Sequence, residues 1–226
     1  MTPRICVSIL PKNFSEALTL IKKVEETKAS LIEIRLDCLE TNTNLKKLVQ
    51  STKIPLIATD KLTSEKGFFS RTEAEQQQRL LSAAESGFEY VDVDLSIANR
   101  PEIDKLKQLG VNLIVSCHKF DSLLSRSAMQ RVLKQEIASD ASVCKIVFTA
   151  KKIEDNLKVL NFVALHSAKT KLVCFCMGEA GKVSRLLSPM FGAYFTFASL
   201  DRGSETASGQ MTINEMQALY DILGAR

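Results

Sequence analysis

The sequence has little of what marks several protein classes. Nine glycines and five prolines in 226 residues are too few for a low-complexity or collagen-like chain. With 45% hydrophobic and 25% charged residues, intrinsic disorder is excluded. No apolar run approaches the roughly 18 residues that a membrane span needs, so no membrane partner is expected. The opening MTPRICVSIL has no long apolar core followed by a small-residue cleavage site, and no signal peptide is read there. No Lys/Arg block is dense enough to point to nucleic acid, and the mild net charge of +4 suits a small anion. A C-x-x-C pair is missing too. Cys6, Cys38, Cys117, Cys144, Cys174 and Cys176 lie in or at the ends of apolar runs, without histidines at zinc spacing. They read as small buried hydrophobes kept reduced in a cytoplasmic setting, with no metal site. The sequon Asn13-Phe14-Ser15 carries no meaning without a secretory route.

What the chain does have is a regular alternation. Short β-type runs fall at 5–9, 31–36, 55–59, 90–95, 112–117, 143–148, 171–175 and 194–197. Amphipathic helical patterns lie between them, at 15–24 (with Ser15 as the expected cap), 72–86, 101–109, 125–138, 153–166 and 212–223. Shorter ones fall at 44–51 and 182–188. Eight strands alternating with eight helices predict a parallel sheet, open or closed. Closure is favoured by the polar residues at period two: Glu33, Arg35 and Asp37 on one strand face, Asp92 and Asp94 on another. An open parallel sheet is covered by helices on both sides and would be apolar on both. The expectation is a (β/α)8 TIM barrel spanning 1–226 as a single compact domain, with about 28 residues per βα unit. Two long polar segments, 60–71 and 199–210, would then emerge at the C-terminal face, the second as a lid.

Lys145 interrupts the apolar run Val143–Phe148, where lysine is rarely tolerated. A neutral amine there, with its charge disfavoured by desolvation and nearby cations, is a nucleophile for a carbonyl carbon. His118 ends the preceding strand and is the general acid/base candidate. His166 falls in a helix away from that face and reads as structural. Glu33 and Arg35 point inward for ion pairing or ligand recognition. In Met177-Gly-Glu-Ala-Gly-Lys-Val-Ser-Arg185 the glycines offer an anion-binding turn and Arg185 a carboxylate fork. Spacing alone thus gives a Schiff-base barrel acting on an anionic polyol-like substrate, with aldol cleavage, decarboxylation and elimination all open.

At these residues the chain resembles the type I 3-dehydroquinate dehydratases. The resemblance runs through Glu33-Ile-Arg35-Leu-Asp37, Ser116-Cys-His118-Lys-Phe, Lys145-Ile, Met177-Gly-x-x-Gly-x-x-Ser-Arg185, Phe191-Gly, Thr196-Phe and Thr206-Ala-Ser-Gly-Gln210. It implies dehydration of 3-dehydroquinate to 3-dehydroshikimate without metal or cofactor, in a cytoplasmic homodimer. By the same resemblance Lys145 forms an imine with the C3 ketone and His118 moves protons. Glu65 orients His118, Glu33 and Arg35 hold ring hydroxyls, and Arg185 takes the carboxylate. Thr206 and Gln210 close the site, with Ser8 a further binding residue. Three departures stand out. Lys61 replaces an arginine in substrate binding and so loses its planar fork. Lys119 replaces an aspartate and is expected to lower the basicity of His118 by like charge. Thr206 replaces a serine and keeps the hydroxyl. The rival readings are a class I aldolase-type barrel and a barrel that binds a carboxylate without turning it over.

Overall fold

The structure is a computed structural model describing residues 2–68, 72–120 and 125–225. Among these residues the chain runs β1 (Ile5–Ile9), α1 (Phe14–Glu25), β2 (Leu31–Arg35), α2 (Leu45–Gln50), β3 (Leu56–Thr59), α3 (Glu73–Glu85), β4 (Tyr90–Asp94), α4 (Pro101–Gln108) and β5 (Asn112–Lys119). It continues α5 (Arg126–Ala138), β6 (Val143–Thr149), α6 (Asp155–His166), β7 (Leu172–Met177), α7 (Lys182–Leu187), β8 (Thr196–Ser199) and α8 (Ile213–Ile222). The helix starts follow side-chain chemistry: Asn13, Asn44, Thr72, Ser125 and Thr212 each accept from a backbone N–H in the first turn. The α1 cap is therefore Asn13 and not Ser15, because Asn13 is the extended residue whose side chain reaches Glu16 N.

All strand pairs are parallel, in the order β7-β6-β5-β4-β3-β2-β1-β8. The barrel closes almost completely. Between β7 and β8 a single backbone bond, Tyr194 N to Leu172 O at 2.8 Å, stands in for a ladder. The expected (β/α)8 TIM barrel is the fold.

Period two sorts the side chains. Inward-facing Cys6, Leu31, Ile57, Tyr90, Ile114, Val143, Val173 and Phe195 fill the lower barrel, while alternate residues pack outward under the helices. Tyr90 and Tyr194 meet across the bottom, hydroxyl to hydroxyl, at 3.2 Å. One step higher the interior turns polar, with Ser8, Glu33, Thr59, Asp92, Ser116 and Lys145 all buried. This layer is what the polar alternation in the sequence encoded. Five of the cysteines are buried and Cys38 is half-buried; burial pushes the Cys117 and Cys144 thiols up to about 11 and about 12, so both are inert.

Candidate active site

The polar layer is the floor of a cavity of about 300 Å³ at the C-terminal mouth. The residues that the resemblance assigns to catalysis and substrate binding all line it: Ser8, Glu33, Arg35, Lys61, Glu65, His118, Lys145, Arg185, Thr206 and Gln210. Their arrangement differs from expectation in several places.

Lys145 sits at the bottom with its side chain 6% exposed. Its Nζ donates to Asp92 Oδ2 at 2.8 Å, lies 3.9 Å from Glu33 Oε1, and stands 4.4 Å above the Phe197 ring. The expectation that cations surround this amine is corrected. Its direct neighbours are carboxylates, and the cation Lys61 reaches it only through shared Asp92. Desolvation alone made the lysine conspicuous in the sequence; a buried ammonium without a carboxylate would cost several kcal/mol.

Glu33 is fixed from both sides, accepting from Ser8 Oγ at 2.5 Å and Thr59 Oγ1 at 2.8 Å. The Arg35 fork is spent on Asp37 through Nε and one terminal nitrogen, at 2.7 and 2.6 Å. Burial opposes the Arg35 charge, but Asp37 outweighs it and raises the guanidinium above its usual value. Asp37 is held in turn by the backbone N–H of Phe68.

Glu65 rides on a tight turn. Gly67 closes it so closely on Lys61 that a Cβ would stand 1.7 Å from the Lys61 carbonyl. Glu65 Oε2 accepts from Leu62 N at 3.0 Å and from the buried Gln76 Nε2 at 2.9 Å, and Oε1 lies 3.5 Å from Lys61 Nζ. Glu65 and His118 share the cavity, but among the described residues no hydrogen bond joins them. Gln76, also bound to the Asp60 carbonyl at 2.7 Å, is a support the sequence did not reveal. Residues 69–71 of the long segment after β3 lie outside the described residues.

His118 points into the mouth from the end of β5, its ring 6.1 Å from Phe120. Desolvation, followed by Lys61 and Lys145, holds the imidazole well below 6.5 and therefore neutral. Lys119 was expected to do this; it is exposed on the opposite face of the strand, and the cations that lower His118 are Lys61, Lys145 and Arg35. His166 is remote, packed on Phe162 at the end of α6.

Arg185 is 1% exposed, yet its Nε and one terminal nitrogen lack any hydrogen-bond partner among the described residues. Burial pulls it down to about 10. The glycines before it serve packing and do not form an anion turn. A Cβ on Gly181 would meet the Cys176 backbone at 2.7 Å, and the Gly178 N–H is taken by the Ser208 carbonyl. Through that bond the 199–210 segment lies down over the cavity. Within it, Gln210 Oε1 accepts from Thr206 N at 2.7 Å and from its hydroxyl at 3.2 Å.

No cluster of three or more His, Cys, Asp or Glu side chains among the described residues has the geometry to hold a metal. No described helix is long and apolar enough to cross a membrane. The chemistry on offer is a lysine, an imidazole, fixed carboxylates and a free guanidinium around one small cavity.

The chain also has clear likenesses among known proteins. The family model described as Type I 3-dehydroquinase matches residues 5–226. A 3-dehydroquinate dehydratase from Dehalococcoides mccartyi is 35% identical over 218 residues, covering 96% of this chain and 95% of its own. A 3-dehydroquinate dehydratase from Methanothermobacter thermautotrophicus is 32% identical over 216 residues, covering 95% and 94%. Among solved structures, 3-dehydroquinate dehydratase from Geobacillus kaustophilus superposes with a TM-score of 0.88 at 23% identity, covering 98% of this chain and 91% of that one. That last likeness concerns the fold.

Proposed function

The chain belongs to the type I 3-dehydroquinase family and is a hydro-lyase of that family, and from this premise we propose that it removes water from 3-dehydroquinate through an imine on Lys145. The observation that carries the reading is a single cavity with a buried lysine at its floor and an unpaired buried guanidinium in its wall.

Arg185 takes the substrate carboxylate with the nitrogens it leaves unpaired, which fixes the ring over Lys145. Glu33, held by Ser8 and Thr59, and Arg35, held by Asp37, meet ring hydroxyls with little freedom to move. The Lys145 amine, once it has shed its proton, adds to the C3 carbonyl carbon. The carbonyl oxygen leaves as water and a C=N bond remains. Protonated, this imine draws electrons from the neighbouring C2–H bond. Neutral His118 accepts the C2 proton, and the electron pair forms an enamine. The pair then returns through the ring, a C1=C2 double bond forms, and the C1 hydroxyl leaves with the proton that His118 carries. Water hydrolyses the imine, freeing 3-dehydroshikimate and Lys145.

Glu65, braced by Gln76 and Leu62, orients His118 once substrate is in place. Lys61 completes the cationic wall, and Thr206 and Gln210 cover the ring from the lid. No metal or cofactor is part of this scheme. The same reading makes the protein a single barrel domain over 1–226 that works as a cytoplasmic homodimer. Exposed Leu157, Val183, Met190 and Phe191 on the adjoining α6–α7 surface support the dimer, which light scattering tests.

Borohydride reduction in the presence of 3-dehydroquinate, followed by peptide mass mapping, tests the central step. The expected result is a stable adduct on Lys145. Folded, substrate-saturated protein that carries no label on Lys145 would refute the imine.

A further inference from the structure

Asp92 has no role in the scheme above, although it is the most enclosed charge in the site. Its side chain is 0% exposed. Oδ2 accepts from Lys145 Nζ at 2.8 Å, while Oδ1 accepts from Lys61 Nζ at 2.9 Å and from Ser116 Oγ at 2.8 Å. Two ammonium groups from neighbouring parts of the barrel therefore share one carboxylate. Burial works against the Asp92 charge, but the two lysines outweigh it and hold the group far below the usual carboxylate range.

Lys61 is turned into the protein, with two of its three donors spent on Asp92 and Ser116 and its charge also beside Glu65. Its Nζ meets Asp92, Ser116 Oγ at 3.1 Å and Glu65 Oε1 at 3.5 Å. Arg185 presents the opposite case, buried and unpaired. Chemistry that needs a free cation for a carboxylate finds it at Arg185, and Lys61 is engaged inside the protein.

We propose that Asp92 and Lys61 are positioning residues for Lys145. Asp92 is the fixed counter-ion of the Lys145 nitrogen in both of its cationic forms, ammonium and iminium, and Lys61 keeps Asp92 compensated while Lys145 is the neutral nucleophile. The inference rests on the reading of Lys145 as the imine-forming residue.

The charge count explains the need for two lysines. At rest the triad carries two positive charges and one negative. When Lys145 releases a proton to solvent through the open mouth, Lys61 and Asp92 remain as a balanced pair. Without Lys61 that step would leave a buried carboxylate alone, at a cost of several kcal/mol, and Asp92 would hold the proton in place. When the imine is protonated, its nitrogen again carries a positive charge beside Asp92 Oδ2. The electron sink is thus stabilised by a group that was aligned before substrate arrived.

Other titratable groups facing the triad are Glu33 and Arg35 from β2, Glu65 from the turn after β3, Asp94 from β4 and His118 from β5. Below them on β1 lies Cys6, whose thiol is pushed up by burial and stays protonated. Of these, His118 also responds to Lys61, so the test must read Lys145 separately.

The experiment uses ligand-free protein labelled with [ε-13C]lysine, in which the Lys145 resonance is assigned by its absence from K145M. Its titration is compared in wild type, K61M and K61R, while the His118 Cε1 proton is followed in the same samples. K61M leaves Lys145 as the one ammonium beside Asp92 and Glu33, and thermal melting checks that it folds. The expected result is a Lys145 midpoint raised by about one pH unit in K61M, with K61R close to wild type. An unchanged Lys145 midpoint in K61M overturns the proposal. In turnover assays the acid limb of kcat moves the same way, with KM changed less than about twofold. A large KM rise with an unmoved limb would make Lys61 a substrate contact and also overturn it. The titration needs no substrate, so a missing Lys145 adduct in wild-type trapping would count against the imine alone.

Discussion

The guanidinium carbon of Arg185 lies 4.4 Å from the centre of the Phe175 ring, so this buried cation rests on an aromatic face and not on a carboxylate. A ring face offsets part of the desolvation without occupying the N–H groups. The arginine is kept in place and kept available.

Replacing it should therefore act on binding. R185Q is expected to raise KM by roughly 30-fold or more, the loss of a buried charge-assisted pair, with a smaller effect on kcat. R185K should recover only part of the affinity, because an ammonium has no planar fork. Steady-state kinetics on folded variants check this, and an unchanged KM in R185Q would remove Arg185 from carboxylate recognition.

His118 is held well below 6.5 by burial and by Lys61 and Lys145. Its Cε1 proton resonance should be constant between about pH 6.5 and pH 8 in the ligand-free protein, because the ring is already neutral there. H118A should still form the borohydride-trappable adduct, with turnover reduced by about two to four orders of magnitude. Near-normal turnover in H118A would rule out its proton-transfer role.

Glu136 on α5 is 0% exposed with no charged partner among the described residues. Burial and, after it, the charge of Asp92 push it up to about 9, from an ordinary 4.5. In the unfolded chain this group ionises near 4.5, while in the folded protein it stays protonated until about 9. Its contribution to stability is complete below pH 4.5 and is lost as pH rises toward 9. Urea midpoints should thus fall between about pH 5 and pH 8 in wild type and fall less in E136Q, by on the order of a few kcal/mol in unfolding free energy. Parallel pH profiles for the two proteins would contradict the assignment.

Gly209 adopts φ +72°, and a Cβ there would stand 2.1 Å from the Gly178 carbonyl oxygen. G209A should lift the lid from the β7 end while the barrel stays folded. We expect kcat/KM to drop by on the order of tenfold or more, with a melting temperature close to wild type. Wild-type kinetics in G209A would mean that contact between the lid and Gly178 is not needed for turnover.

The barrel was legible in the sequence because its signals are local. Strand runs, helix faces and alternating polarity each depend on residues within one element, and the elements fall within a few residues of expectation. Part of the cavity was legible for the same reason, since strand position and inward parity name Glu33, Arg35, His118 and Lys145, whereas Ser8, Lys61, Glu65, Thr206 and Gln210 came from the family resemblance. Partnerships were not. Asp92 is visible as an inward carboxylate on β4, yet its pairing with Lys61 and Lys145 depends on the stagger of three strands. Gln76 sits on a helix face among other polar residues, and only the packing of α3 under the turn after β3 marks it. The assignment of Lys119 failed because parity along β5 turns that side chain away, and parity was readable. The glycines of 178–181 resembled an anion turn because close backbone approach and anion binding use the same residue.

The barrel has one unsewn edge, between β7 and β8. Its lower end is fastened by the bond from Tyr194 to Leu172, and its upper end by the bond from Gly178 to the Ser208 carbonyl in the lid. The loop over the cavity is thus also the upper fastening of the wall. Lifting that loop would undo the upper fastening of the seam beside Phe175 and Phe197, the rings on which Arg185 and Lys145 rest. A cut in 200–208 would therefore weaken the grip on both cations even with every cavity side chain intact.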